Sequence, residues 1–446
     1  MLIYKFKKMK KIFIRILGLT FLLLTSCDND LDQVPENNLR SSSITDFQGV
    51  LNSVYFYQQA AATPIAVMGD FRSDNAFMFE DPYTEFDDFD GGIVDMDDQF
   101  FSPIYTTLYQ AILSANAVIE SSTEDQLVGE AKFLRALSYF KLVIVFGDVP
   151  INLMSQFNSE EIPVIERSSV ANVYSEVIIP DLEDAISVLD NSGISDGLAS
   201  QLAAKSLLGK VYVFMEDFTN AETYLEDAIS DATDAGVELE ADFANVVVDE
   251  NSEIIFATKI STSIETNYDF SMFSVWYAGD DSKSENPIDA DLVNAFDDVG
   301  DTTRKDLTID DSAFTGVKYT LGEDNDWIEL RLSDIILLYA ETLNENDNSD
   351  GSESATILTL LDDIRTRAGL SSLSGTASTQ DDVRTAILNE RRLELALEGH
   401  RWFDLVRTDT VDDEMGETID TNYYLFPLPA SEISSTNGVI TQNPGY

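Results

Sequence analysis

A chain of 446 residues with 81 acidic and 27 basic side chains, a formal net charge of −54, should repel nucleic acid and anionic membrane surfaces alike. Its hydrophobic content of 44% with 10% aromatics nevertheless marks a folded globule rather than an acidic disordered tail. A single cysteine excludes an intramolecular disulfide, and one cysteine with one histidine leaves no ligand set for zinc or a redox metal, so no cofactor is expected.

The N-terminus reads as a processing segment. Lys5, Lys7, Lys8, Lys10, Lys11 and Arg15 form a basic stretch without acidic residues. The apolar run Ile16 to Leu24 that follows is too short to span a bilayer as a helix. It ends in Leu24-Thr25-Ser26-Cys27, small residues before the chain's only cysteine, as in a lipoprotein signal peptide over residues 1–26 with Cys27 as lipid anchor. The plainer alternative is an ordinary signal peptide followed by a chance cysteine. Acyl chains on Cys27 would tether a soluble body without a spanning segment, and no later apolar stretch is long enough to be one.

Downstream, most of the chain carries helical periodicity. The spacing predicts helix pairs over Tyr105–Glu120 with Glu130–Val145, Val170–Leu189 with Ser200–Phe214, and Glu329–Leu343 with Ser354–Ala368. Leu208-Gly209, Tyr212, Ala221, Leu225 and Ala228 fall at tetratricopeptide-like spacing, with Met215 to Asn220 as the loop between two helices. Thr379-Gln380-Asp381-Asp382 offers a cap for the last long helix and Gly399 its stop. Thr63–Phe101 and Tyr268–Pro287 lack helical period, Val246-Val247-Val248 and Glu253–Phe256 read as short strands, and Asn344–Glu353 reads as a solvated loop. The organisation expected is a region 27–235 with the repeat-like helices, merged into one globule with a region 236–446.

The chemistry-bearing residues weigh toward binding. His400, the sole histidine, lacks a usable nucleophile and reads as structural. With so many carboxylates, a glycosidase-like pair would arise by chance and discriminates nothing. Asn346-Asp347-Asn348-Ser349-Asp350-Gly351 starts like a calcium loop, but Ile357 stands where a bidentate Glu belongs. The Glu390/Arg391/Arg392/Glu394 cluster reads as a structural tie. Sugars stack their C–H faces on aromatic rings and bond their hydroxyls to Asp, Asn and Arg. Arg72, Asp74 and Asn75 with Phe79 and Tyr83, and Tyr268, Phe273, Trp276 and Tyr277, carry that chemistry in the two aperiodic segments. The competing reading is that several of these rings are core.

Several blocks resemble the SusD/RagB family of surface lipoproteins. The residues are Glu130-Ala131-Lys132-Phe133-Leu134-Arg135-Ala136, Phe146-Gly147-Asp148-Val149-Pro150, Ile364-Arg365-Thr366-Arg367-Ala368-Gly369, the tract Asn389–Leu405, and the chain end Gln442-Asn443-Pro444-Gly445-Tyr446. Trp327-Ile328-Glu329-Leu330-Arg331 departs from the family's order by a small shift of the arginine. The resemblance implies a mainly α SusD-like fold, with tetratricopeptide-like helix pairs as scaffold and irregular and short-strand segments packed on it. It implies a non-enzymatic protein that captures a poly- or oligosaccharide and passes it to a SusC-like TonB-dependent transporter. Peptide or other nutrient capture is the alternative within the family, and a surface hydrolase the alternative outside it. The two site segments lie where the family's ligand contacts tend to fall. The acidic Asp28, Asp30 and Asp32 after Cys27 resemble an export tag to the outer face of the outer membrane.

Overall fold

The computed structural model describes residues 45–155, 165–260, 272–280, 284–319 and 324–446. Cys27 with its leader, and Tyr268, lie outside the described residues. Helices dominate. In chain order they are α1 (Phe47–Gln58), α2 (Ala62–Asp70), α3 (Ser102–Ser121), α4 (Asp125–Phe146), α5 (Ile179–Val188), α6 (Gln201–Phe214), α7 (Phe218–Ala232), α8 (Met272–Tyr277), α9 (Ala290–Val299), α10 (Thr302–Thr308), α11 (Leu332–Asn346), α12 (Ser354–Arg367), α13 (Gln380–Glu394) and α14 (Arg401–Arg407). Among the described residues no helix is long and apolar enough to cross a membrane. Residues Asp46–Tyr446 form one compact unit.

The helices pack as a row: α1 and α3 against α4, α4 against α5, α5 against α6, α6 against α7, α7 against α11, and α11 against both α12 and α13. Each pair that the periodicity predicts is present. At the α6–α7 contact a Cβ on Gly209 would lie 2.5 Å from Leu225 Cδ2, so any larger residue would force the Leu225 side chain to move. Caps set the helix starts: Ser200 accepts from Ala203 N, Asp217 from Asn220 N, and Thr379 from Asp382 N.

Several local readings are corrected. Thr63–Phe101 and Tyr268–Pro287, read as aperiodic, contain the helices α2 and α8. Val246-Val247-Val248 is a turn, because Asp242 caps Ala244 N and the Asn251 amide donates to Val246 O and Val248 O, outcompeting β-branched preference. Glu329 is not helical: Trp327–Arg331 is a strand, antiparallel to Ile254–Thr258, and α11 starts only at Leu332. The 344–353 connection is less solvated than its composition suggests, since Asn344 and Asn348 are buried and Asn348 accepts from Glu353 N while its amide donates to Ser354 Oγ.

The most unusual part of the core is ionic. Arg331 and Glu394 are both buried, and Arg331 donates to Glu394 Oε1 at 2.7 Å, to both oxygens of Glu398 at 2.7 and 2.8 Å, and to Glu253 Oε1 at 2.7 Å. Glu394 also pairs with Arg304 at 3.0 Å and with Arg367. Glu390 bridges Arg304 and Arg365, and Lys318 Nζ reaches Glu398 at 2.5 Å. A second cluster joins Arg391 and Lys210 to Asp334, and Arg391 and Arg407 to Asp404. Glu394 and Glu398 end the helix early: α13 stops at Glu394, five residues before Gly399, because Leu397 adopts φ +63° to fold Glu398 back onto Arg331.

Burial alone would raise the Glu394 carboxyl, yet the guanidinium groups of Arg367, Arg331 and Arg304 hold it far below the usual range. Burial likewise works to raise the Asp404 carboxyl, but Arg391 and Arg407 prevail and bring its pKa down to about 2. Groups depressed in the folded state add stability that is complete above their unfolded pKa and lost as pH falls through the folded value. The network's contribution should therefore be intact above about pH 4.5 and fade between about pH 4 and pH 2. Glu394→Gln, which leaves three guanidinium groups short of a partner, should cost about 3–5 kcal/mol at pH 7 in urea titrations. The gap to wild type should narrow as pH drops below about 4; an unchanged urea midpoint at pH 7 would show that the network does not hold the body together.

Candidate ligand-binding face

The two segments singled out from sequence, one following α2 and one forming α8, meet in space. Their polar members are spent on internal ties. Asp70, at the end of α2, accepts from Tyr277 Oη at 2.6 Å, Gly399 N at 2.7 Å and Asn75 Nδ2 at 3.0 Å. Burial pushes its carboxyl up against those three donors. Asp74 takes both arms of Arg401 at 2.7 Å and pairs with Arg392 at 2.9 Å. Burial would raise its carboxyl, but the Arg401 guanidinium prevails and holds it low. Asn75 Oδ1 accepts from Arg392 Nε at 3.1 Å.

Arg72 is fully buried, and among the described residues no carboxylate pairs with it. Its guanidinium donates to the carbonyls of Phe86 at 2.6 Å and Tyr423 at 3.1 Å and lies 4.2 Å from the Phe89 ring centre. Burial brings its pKa down to about 10. The rings of the second segment are also internal. Tyr277 stacks on Phe71 at 5.5 Å, Phe273 meets Trp327 edge-on at 4.9 Å, and Trp276 sits among Phe71, Phe100 and Tyr83 at 6.3, 5.8 and 5.6 Å.

Arg72, Asp74, Asn75, Phe273, Trp276 and Tyr277 are thus buried and tied into the framework. Two members of the set remain at the surface. Phe79 is 64% exposed, and Tyr83 is half-buried, its ring resting on Trp276 and Phe100 and its hydroxyl donating to Gln99 Oε1 at 2.5 Å. Glu80, Asp81 and Asp98 are exposed beside them. This stretch therefore carries ring surface and exposed carboxylates together, residue types suited to the C–H face and hydroxyls of a sugar. Among the described residues no group of His, Cys, Asp and Glu is arranged to hold a metal. Burial lowers the His400 imidazole to about 4, so it is neutral at pH 7.

Comparison with known proteins places this geometry. Residues 29–213 match a family described as starch-binding and associating with the outer membrane, and residues 312–421 match the SusD family. The chain belongs to the SusD/RagB family. A SusD-like protein of Formosa agariphila is 25% identical over 99% of this chain and 100% of its own length. A SusD-like protein of Bacteroides ovatus is 25% identical, covering 88% of this chain and 81% of the relative. A solved laminarin-binding SusD-like protein superposes with a TM-score of 0.74 at 24% identity, over 90% of this chain and 99% of that one. Surface glycan-binding protein A from Bacteroides fluxus does so with a TM-score of 0.71 at 22% identity, over 90% and 99% of the two chains. These likenesses establish a SusD-superfamily fold.

Within that fold, sequence reasoning missed Gln99 and Phe100, which orient and underlie Tyr83. Their signal was the Gln99-Phe100-Phe101 run closing the first aperiodic segment. Trp276→Ala should remove the centre of the ring cluster and cost about 3–5 kcal/mol of stability. A thermal midpoint equal to wild type would return Trp276 to the list of surface platforms.

Proposed function

We propose that this protein is a surface glycan-binding protein that captures a poly- or oligosaccharide without cleaving it. The observation that carries the reading is Phe79, a large aromatic left 64% exposed four residues before Tyr83, whose own ring rests on the buried Trp276 and whose hydroxyl reaches Gln99. A ring that makes no use of burial at a rigid, acceptor-rimmed surface is poised for stacking. Support comes from solved proteins of the same fold described as laminarin-binding and as a surface glycan-binding protein. Phe79 and Tyr83 form the platform in this reading, and Gln99 and the neighbouring carboxylates accept hydroxyl protons. Cys27 carries the lipid that holds the body at the outer membrane, facing outward, and the captured glycan passes to a SusC-like TonB-dependent transporter. The family description of outer-membrane association supports the location.

Calorimetry of the full chain against laminarin, starch, xylan and mannan should find one or more binders, with no products released on long incubation. Phe79→Ala and Tyr83→Ala should each weaken that binding by roughly 1–3 kcal/mol, the scale of ring stacking on a planar partner. Released oligosaccharides would make the protein a hydrolase, binding of peptides alone would redirect it to peptide capture, and unaltered affinity in both variants would remove the face from the site. Cys27→Ala should move the protein from the detergent phase to the aqueous phase in a phase-separation assay. A variant that stays with the detergent would refute the anchor.

A further inference from the structure

A sizeable cavity among the described residues is not at the aromatic face and shares no residue with it. It is a cleft of about 450 Å³ where three segments converge: the α5–α6 connection over 191–197, the turn following α7 over 235–237, and residues 250–259 around the strand Ile254–Thr258. Its volume lies within the range of sites that hold small ligands, about 300–1,000 Å³. Its floor is apolar: Phe256, Ala257 and Val237 are buried, and the Phe256 ring is fixed edge-on against Phe133 at 4.8 Å. Its mouth is open, with no atom within 4 Å of where a Cβ on Gly236 would stand.

The hydrogen-bonding groups around the cleft are divided between used and unused. Asn251 is spent, its amide on Val246 O and Val248 O and its oxygen on Glu253 N. Asn191 accepts from Leu202 N at 2.8 Å through Oδ1, while Nδ2 has no partner among the described residues. Ser195 Oγ is likewise without a partner among them. Ser192 and Ser252 give their protons to Asp190 and Glu240, at 2.6 and 3.0 Å, and keep lone pairs to accept with. Lys259, the cleft's cation, already faces Asp326 at 3.0 Å and Glu250 at 3.5 Å.

We infer that this cleft is a second binding site on the chain, for a short neutral saccharide segment. Asn191 Nδ2 donates, Ser195 both donates and accepts, and Ser192 and Ser252 accept, a mixture that matches the adjacent hydroxyls of a sugar ring over an apolar floor. Acidic sugars are disfavoured. The only ammonium is already matched by two carboxylates, and the chain's net charge of −54 opposes an anion.

The test uses the full chain carrying Phe79→Ala and Tyr83→Ala, so that the aromatic face is disabled. Saturation-transfer NMR with maltotriose, laminaritriose, cellotriose and xylotriose should show at least one binder. Adding Ser195→Trp, which fills the cleft from an exposed position, should cut that signal at least tenfold with an unchanged thermal midpoint. Asn191→Asp keeps the acceptor for Leu202 N and removes the free donor, so it should weaken binding about fivefold by loss of a hydrogen bond to a neutral partner. Absence of any trisaccharide signal in the Phe79→Ala/Tyr83→Ala protein, a signal indifferent to Ser195→Trp, or equal competition by trialanine would overturn the assignment. Because the cleft variants are read on a background without Phe79 and Tyr83, this site and the aromatic face succeed or fail separately.

Discussion

Arg331 and Glu394, both shut away from water, set the constraint to which most of this structure answers. Removing a charge from water costs several kcal/mol per ion, so a guanidinium can be buried only where carboxylates meet it with good geometry. Arg331 meets three, Glu253 from one stretch of chain and Glu394 and Glu398 from another far along the sequence. The planar fork of arginine makes this possible, and a lysine at the same position could not span the same set. Such a network need not add much net stability over an apolar core. It does forbid alternative packings, because any shift would leave an ion bare. That is how the irregular tract after α13 obtains one conformation.

From that tract a continuous chain of contacts leads to the aromatic face. Folding Glu398 back onto Arg331 requires the positive φ of Leu397 and of Gly399. Gly399 then lies so close to α2 that a Cβ on Gly69 would stand 2.1 Å from its carbonyl oxygen, and its N–H reaches Asp70. Asp70 in turn accepts from Tyr277, which places α8, and with it Trp276 beneath Tyr83. The half-buried Tyr83 ring rests on a stack whose position is fixed from the interior outward. A stacking platform held this way loses little freedom when a ligand arrives, which is the condition for a weakly polar contact to contribute to affinity.

The same economy of charge shapes the outside. Among the described residues every lysine and arginine faces a carboxylate except Arg72 and Arg167, whose guanidinium groups are held by backbone carbonyls. Many of these pairs are internal, so the core consumes cations and the surface is left with the surplus of acid. The strongly negative composition is in part the external image of the ionic core. A surface of that kind offers acceptors freely and unmatched cations hardly at all, which favours uncharged polyhydroxylated ligands over sulfated or uronic ones.

Periodicity and caps made the helix pairs legible, because α6 and α7 carry small residues at Gly209, Ala221 and Ala228 that say where two backbones approach. The alternating charges of α13 marked a structural tie, although their partners Arg304, Arg331 and Arg367 lie far away in sequence and could not be assigned from it. The site was legible only as a neighbourhood. Trp276 and Phe79 have the same credentials in a linear reading, since a ring gains equally from burial and from stacking on a ligand. What separates them is the chain on the other side: Phe71, Phe100 and Tyr83 close over Trp276, and among the described residues Phe79 is left 64% exposed. That information resides in tertiary contact alone, which is why the sequence could locate the aromatic segment and not tell its inner rings from its outer ones.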